Sequence, residues 1–231
     1  MRRVDEPQTP IAGRLAGIRA RIAEAAARAG RPAGSVTLLA VSKTKPEALI
    51  REAYAAGQRD FGENYVQELA AKAAALSDLP ELRWHLIGPL QRNKVKQVAP
   101  VASLVHTVDR PSLAEEIEKR AAAAGKVIPV LLEVNVGGEA SKAGCSPDEA
   151  PALAAAVRAM PHLSLRGLMT IPPDTEDREE ARPFFVALRR LRDAIGDLPE
   201  LSMGMSHDFE IAVEEGATIV RVGTAIFGAR S

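Results

Sequence analysis

The sequence predicts a single α/β domain, a (β/α)8 barrel of the TIM type with an extra N-terminal helix, and three observations predict it. Eight strand candidates occur along the 231 residues, helix candidates separate nearly all of them, and no linker rich in Pro, Gly or Ser divides the chain. Alternating strands and helices imply right-handed crossovers and a parallel sheet. Eight such units fit one closed barrel over residues 1–231. An open doubly wound sheet is the competing fold, but no G-x-G-x-x-G follows the first strand.

Hydrophobic spacing and helix-ending residues define the elements. Residues 11–28 form an amphipathic helix that Gly30 ends, and the apolar run of residues 36–43 forms the first strand. Gly57 and Gly125 end later helices, and Pro and Gly interrupt the chain after later strands. The other strands are predicted at 59–62, 82–87, 103–108, 127–136, 163–170, 201–203 and 218–222. The other helices are predicted at 47–56, 64–76, 91–98, 111–124, 147–160, 176–195 and 208–215.

Composition and charge exclude several classes of function. The chain has 30 Lys and Arg against 30 Asp and Glu, and only 3% of its residues are aromatic. This balance does not favour binding to nucleic acid or to an anionic membrane. No apolar stretch approaches the length of a membrane span, and residues 1–7 lack the apolar run of a signal peptide. We therefore expect a cytoplasmic protein.

The cysteine and histidine content does not indicate a metal site. Cys145 is the one cysteine, so no internal disulfide can form, and the four histidines lie far apart in the sequence. We expect no metal.

Lys43 stands at the end of the first strand. If it continues the alternation of Leu39 and Val41, its amine lies at the carboxyl end of a buried strand. Parallel α/β folds bind their ligands at that end. The alternative is a solvated lysine with Lys45 as its neighbour.

The last two strands end in residues that suit an anion. Gly223 and Thr224 follow the eighth strand, and Ser206 lies just past the seventh. Glycine allows a close backbone approach, hydroxyls and amides donate to a phosphate, and residues 224–227 can begin a short helix. Barrels of this class bind phosphate after these two strands. Ordinary turn chemistry is the alternative.

Four further residues are candidates near the same strand ends. Arg221 alternates with Ile219, so it should point into the barrel, where either Glu133 or an acceptor on a ligand would be its partner. His85 is either a site residue or a hydrogen-bonded core histidine. Asn64 is a site residue or a helix N-cap, and Met169 lines the pocket or the core.

A lysine amine, a phosphate cradle and an inward arginine together suit a phosphorylated aldehyde held as a Schiff base. Pyridoxal 5′-phosphate is the common case.

Six stretches of the chain resemble the pyridoxal phosphate homeostasis protein family, whose members are related to the N-terminal barrel of alanine racemase. They are L-L-A-V-S-K-T-K-P (38–46), F-G-E-N-Y-V-Q-E (61–68), W-H-L-I-G-P-L-Q-x-N-K (84–94), R-G-L-M (166–169), L-S-M-G-M-S-x-D (201–208) and R-V-G-T-A-I-F-G-A-R (221–230). The resemblance implies an alanine racemase N-terminal-domain-like barrel that carries or buffers the cofactor inside the cell, with apo-enzymes as possible partners. We expect a monomer.

The resemblance also implies roles for individual residues. Lys43 would form the Schiff base and Arg221 would face the pyridine nitrogen. Ser206, Gly223 and Thr224 would hold the phosphate. The positions that match around the cofactor with less defined roles are Asn64, His85 and Met169.

A catalytic role is not expected. Related racemases add a second domain that supplies a tyrosine base, whereas this chain ends at Ser231, and neither of its tyrosines, Tyr54 and Tyr65, fits that role. An arginine at the ring nitrogen would also weaken the electron sink. Two alternatives remain open: an amino-acid racemase or related pyridoxal phosphate enzyme, and an aldolase that uses Lys43 without a cofactor.

Overall fold

The computed structural model describes residues 10–32, 34–139 and 142–228. The segment 1–7, which the sequence predicts is no signal peptide, lies outside the described residues. So do both ends of the predicted domain, and its limits stay a prediction.

Eight parallel strands form a closed barrel, which confirms the predicted fold class. Each strand pairs with the next along the chain, and the eighth pairs with the first. Leu39 lies opposite Arg221 and Val41 lies opposite Gly62. The strands are β1 (Thr37–Val41), β2 (Asp60–Glu63), β3 (Arg83–Leu86), β4 (Ala102–Val108), β5 (Ile128–Glu133), β6 (Leu163–Met169), β7 (Glu200–Ser202) and β8 (Ile219–Val222).

Helices connect the strands on the outside of the barrel. Short 3-10 turns at Arg92–Lys94 and Arg178–Ala181 precede the fourth and seventh helices. The helices are α1 (Ile11–Arg28), α2 (Glu47–Ala55), α3 (Val66–Ala75), α4 (Val95–Val98), α5 (Pro111–Ala123), α6 (Ala150–Arg158), α7 (Arg182–Ile195), α8 (Phe209–Glu214) and α9 (Thr224–Phe227). The extra helix α1 has the predicted bounds and packs against α2, α8 and α9.

Several predicted boundaries were wrong, and three of them have clear local reasons. The helix predicted at 64–76 begins at Val66, so Asn64 is not its N-cap. The helix predicted at 176–195 is a 3-10 turn followed by α7, because Pro183 is compatible only with the first turn of a helix. The strand predicted at 127–136 ends at Glu133, after which Val134 pairs with Cys145.

The barrel wall separates two apolar cores. In β1, Leu38 and Ala40 pack in the outer core between strands and helices, whereas Leu39 belongs to a cluster inside the barrel. Each buried leucine of this kind contributes roughly 1.5–3 kcal/mol. The inner cluster consists of Leu39, Ile87, Leu104, Leu131, Met169 and Ile219, with Val41 packed against it. The inner face of β1 therefore leads toward position 43 at its carboxyl end.

Within the part of the chain that the structure describes, no helix has both the length and the apolar character needed to span a membrane.

Candidate functional site at the carboxyl end of the barrel

Lys43 lies in a tight turn just past β1. The strand ends at Val41, Ser42 is fully buried and Lys43 is half-buried. Thr44 has a φ of 61°, in the left-handed region that β-branched residues rarely adopt. The predicted position of Lys43 at the end of a buried strand is therefore confirmed, and its turn has an unusual backbone.

A buried ion pair lies next to this turn. Lys72 of α3 donates hydrogen bonds to Glu63 Oε1 at 2.8 Å and to Glu68 Oε2 at 2.9 Å. Burial raises the pKa of Glu63, although hydrogen bonds from Lys72 and Ser42 oppose the rise. The Oε2 atom of Glu63 is buried and has no hydrogen-bond partner among the described residues. The sequence did not point to this pair, because a Glu and a Lys nine residues apart follow neither helical nor strand spacing.

Arg221 of β8 is 4% exposed and points inward, as its alternation with Ile219 predicted. Its guanidinium donates to Ser202 Oγ at 2.7 Å and to the Thr170 carbonyl oxygen at 2.8 Å. Burial lowers the pKa of Arg221 to about 10, so the side chain stays charged at neutral pH. Among the described residues Arg221 has no salt-bridge partner, and the charges of Asp208 and Glu133 act on it without direct contact.

A chain of hydrogen bonds runs from Arg221 through the inside of the barrel. Ser202 Oγ lies 2.9 Å from His106 Nδ1, and His106 Nε2 lies 3.0 Å from His85 Nδ1. His85 Nε2 in turn lies 3.2 Å from Asp60 Oδ1. Because Asp60 begins β2, the chain extends from the carboxyl end of the barrel to its amino end.

With one proton on each histidine ring, every hydrogen bond from Ser202 through His106 and His85 to Asp60 has one donor and one acceptor. Burial lowers the pKa of His106 well below its usual value, which keeps that ring neutral. Burial alone would raise the pKa of Asp60, but hydrogen bonds from Arg83 and His85 lower it to about 2, so it accepts as a carboxylate. Arg221, Ser202, His106 and His85 then each donate to the next group in the chain, and Asp60 accepts from His85.

His85 has the placement of a hydrogen-bonded core histidine. Both of its ring nitrogens are used inside the chain of hydrogen bonds. It also lines a cavity of about 270 Å³ at the amino end, together with Thr37, Asp60 and Arg83. Its link to Arg221 therefore runs through His106 and Ser202, and a direct contact between His85 and a cofactor stays a prediction.

The turns after β7 and β8 lie side by side. The amide of Arg221 donates to the Gly204 carbonyl at 2.9 Å, which ties the loop that carries Ser206 to β8. Gly204 has a φ of 89°, which favours glycine. Ser206 is half-buried in this loop.

Gly223 and Thr224 pack next to the end of β1. A Cβ atom at Gly223 would lie 3.2 Å from the Val41 carbonyl oxygen, so the two strand ends are in close contact. Thr224 begins α9, as predicted, and is exposed. Among the described residues, neither its hydroxyl nor that of Ser206 has a hydrogen-bond partner.

Asn64 and Met169 complete the set of predicted residues. Asn64 follows β2, and its Oδ1 atom is buried without a partner among the described residues. Met169 ends β6 and is fully buried in the inner apolar cluster. The carboxyl end of the barrel thus collects every predicted site residue except His85.

The polar residues around Arg221 could have been found from strand alternation. Three inner-cluster residues, Leu104, Leu131 and Ile219, are each followed two positions later by a polar residue. Those residues are His106, Glu133 and Arg221. The pattern indicates an apolar layer inside the barrel with a polar layer nearer the carboxyl end.

The histidine, cysteine and carboxylate side chains of the described residues do not form a metal site. Within the described ranges, no three His, Cys, Asp or Glu side chains are grouped so that they could hold a metal ion. Burial raises the pKa of the Cys145 thiol to about 12, which keeps it protonated and poorly nucleophilic.

Comparison with known proteins places the chain in a family. Residues 14–231 match the family model of the alanine racemase N-terminal domain. The pyridoxal phosphate homeostasis protein of Pseudomonas aeruginosa is 54% identical over 221 residues, which are 95% of this chain and 96% of that protein. The protein of the same name from Escherichia coli is 47% identical over 226 residues, 95% and 97% of the two chains.

The chain belongs to the pyridoxal phosphate homeostasis protein family.

Several solved structures are similar to this chain. A Bifidobacterium adolescentis protein described as unknown has a TM-score of 0.88 and 43% identity, with 94% of each chain covered. PipY of Synechococcus elongatus, solved with PLP bound, has a TM-score of 0.83 and 41% identity over 94% of this chain and all of PipY. The alanine racemase of Corynebacterium glutamicum shares the fold, with a TM-score of 0.65 and 20% identity over 93% of this chain and 61% of the racemase.

Proposed function

We propose that this protein binds pyridoxal 5′-phosphate at the carboxyl end of the barrel and serves to carry or buffer it. Two related findings support the proposal: relatives are named for pyridoxal phosphate homeostasis, and PipY has been solved with PLP bound. The observation that carries it is Arg221, a buried cation on the strand that pairs with β1, which has no salt-bridge partner among the described residues. Its two hydrogen bonds leave guanidinium donors available for an acceptor on a ligand.

The other residues fit the cofactor. Asn64 has a buried acceptor without a partner in the described chain, which a ligand donor would satisfy. A Cβ atom at Gly223 would fit tightly against Val41, and a glycine here suits a position where backbone must come close to a phosphate. The hydroxyls of Ser206 and Thr224 are available to donate to phosphate oxygens.

We assign a role to each residue in this proposal. Lys43 would hold the cofactor as a Schiff base, in which a C=N bond replaces the aldehyde C=O and the oxygen leaves as water. Arg221 donates to the ring nitrogen, and Ser206, Gly223 and Thr224 hold the phosphate. Asn64 would line the pocket, and Met169 would support it from the inner apolar cluster. Bound pyridoxal phosphate supplies an aldehyde that can be exchanged from one amine to another, which is the chemistry a carrier needs.

We further propose that the protein does not turn over amino acids. A permanently charged arginine at the ring nitrogen keeps a proton off that atom, which weakens electron withdrawal from a bound amino acid. Tyr54 does not offer a base, because Arg59 stacks on its ring with 4.0 Å between guanidinium carbon and ring centroid. Tyr65 is 55% exposed, whereas a base for this reaction would work in a site closed to water.

The test combines transfer and turnover measurements on one preparation. The protein loaded with pyridoxal phosphate should restore activity to an apo-enzyme that requires this cofactor. With L-alanine in deuterated water, exchange of the α-proton should stay far below about 1 s⁻¹, an ordinary enzymatic rate. Exchange or racemisation at that rate would replace the carrier proposal with the racemase alternative. Failure to bind pyridoxal phosphate, with cleavage of a phosphorylated sugar, would favour the aldolase.

A further inference from the structure

The turn that carries Lys43 is held on both sides by side chains from outside the turn. On the side of Ser42, Lys72 Nζ donates to the Ser42 carbonyl oxygen at 2.8 Å. The Ser42 hydroxyl donates to Glu63 Oε1 at 2.6 Å. Lys72 also donates to that same Glu63 oxygen, so the residue before Lys43 is bound through both its backbone and its side chain.

On the other side, Glu68 holds the residue after Lys43. The Thr44 amide donates to Glu68 Oε2 at 2.7 Å, and the same oxygen accepts from Lys72. The three N–H donors of Lys72 are thus all used, by the Ser42 carbonyl, Glu63 and Glu68. One ammonium group therefore connects the backbone before Lys43 with the carboxylate that holds the backbone after it.

This arrangement is unfavourable in two respects that a purely stabilising contact would avoid. Thr44 is held at a φ of 61°, which is strained for a β-branched residue. Lys72 is 7% exposed and Glu63 is fully buried, so both charges lie largely out of water. Strain and buried charge in one place persist only when the surrounding contacts hold them, and such places are often functional.

We propose that Lys72, Glu63 and Glu68 are positioning residues that hold the backbone on both sides of Lys43, so that its amine meets the aldehyde of the cofactor. The inference rests on the proposed function, in which Lys43 is the attachment point. With Ser42 and Thr44 held by these hydrogen bonds, the backbone position of Lys43 is set before the cofactor binds. Ordering that is complete before binding increases affinity and rate without any new contact to the ligand.

Glu68 is the residue to change first, because its side chain is 29% exposed and its loss should not unfold the protein. Glu68→Ala removes the acceptor for the Thr44 amide, whereas Glu68→Gln keeps an oxygen at that place. Asp78→Ala is the matched control, since it removes an exposed carboxylate that pairs with Arg51 and does not contact the turn.

Two measurements separate a positioning role from a general loss of stability. In the protein without cofactor, hydrogen exchange at the Thr44 amide should become at least about tenfold faster in Glu68→Ala. In an absorbance titration with pyridoxal phosphate, its dissociation constant should rise roughly five- to tenfold. For Glu68→Gln, the exchange rate and the dissociation constant should both lie between those of wild type and Glu68→Ala. Asp78→Ala should match wild type in both measurements.

The outcomes that overturn the inference differ from those that overturn the proposed function. If Glu68→Ala matches wild type in amide exchange and in affinity, or if Asp78→Ala causes the same losses, the three residues do not position Lys43. If wild type binds no pyridoxal phosphate covalently at Lys43, the proposed function fails, while the exchange measurement still reports whether Glu68 holds Thr44. The double variant Lys72→Met with Glu63→Gln removes both buried charges together and should reproduce both losses.

Discussion

Glu133 is a carboxyl group inside the barrel whose surroundings make its charge unfavourable. Burial, with a smaller contribution from Asp109, raises its pKa from 4.5 to about 7, and the charge of Arg221 only partly opposes the rise. The folded protein therefore holds this proton up to about pH 7, whereas the unfolded chain releases it near pH 4.5. The stabilisation is fully present below pH 4.5 and is lost as the pH rises through about 7.

Replacing Glu133 should remove this pH dependence. When the pH is raised from about 4 to about 8, ionisation of Glu133 should lower the free energy of unfolding of cofactor-free wild type by roughly 3 kcal/mol. In Glu133→Gln that contribution should disappear, so the variant should gain stability relative to wild type at the higher pH. Urea unfolding at several pH values measures the free energy of unfolding of both proteins. If it changes with pH in the same way in both, Glu133 does not hold a proton in the folded protein as described.

The hydroxyls of Ser206 and Thr224 should each strengthen cofactor binding. A hydrogen bond to a charged phosphate is worth roughly 1.5–3 kcal/mol, so Ser206→Ala and Thr224→Ala should each weaken binding about ten- to a hundredfold. Thr37→Ala is the control, because Thr37 is an exposed threonine at the start of β1. Absorbance titration gives the affinities, and unchanged binding in both variants would place the phosphate elsewhere.

At the scale of the elements, the loops after β2 and β3 touch through a glycine. A Cβ atom at Gly88 would lie 2.1 Å from the Asn64 carbonyl oxygen, so Gly88→Ala must displace the backbone that carries Asn64. We expect a loss of about 1–3 kcal/mol in the free energy of unfolding, together with weaker cofactor binding.

Gly17→Ala in α1 is the matched control for this change, since a Cβ atom there has no neighbour within 4 Å. It should stabilise the helix by roughly 0.5–1 kcal/mol and leave binding unchanged. Urea unfolding and absorbance titration measure both variants. A Gly88→Ala protein as stable and as tightly bound as wild type would show that this contact does not shape the site.

The elements also show why part of the site was predictable and part was not. Lys43, Arg221 and Thr224 stand at strand ends or in strand alternation, which local sequence signals reveal. Lys72 and Glu63 come together only because α3 packs beside the end of β2 in the closed barrel, and no local spacing encodes that contact. Helix limits such as the start of α7 depend on where Pro183 is tolerated, and the pattern of apolar residues does not specify this.

At the scale of the whole molecule, the barrel has an outer core and an inner apolar cluster, and the two have different roles. The outer core of strand and helix residues closes the barrel, and the inner apolar cluster supports a polar layer near the carboxyl end. Because β8 pairs with β1, the strand that carries Arg221 lies beside the strand that leads to Lys43. The closure of the barrel thus brings together residues from the two ends of the chain.

We propose that this chain holds pyridoxal phosphate covalently through Lys43. The most direct measurement is borohydride reduction of the loaded protein, followed by proteolysis and mass spectrometry of the peptides. We expect a pyridoxyl group on Lys43, and no visible absorbance of bound cofactor in a folded Lys43→Ala variant. A pyridoxyl group found mainly on Lys45 or Lys72, or a Lys43→Ala variant that keeps the absorbance, would rule out attachment through Lys43.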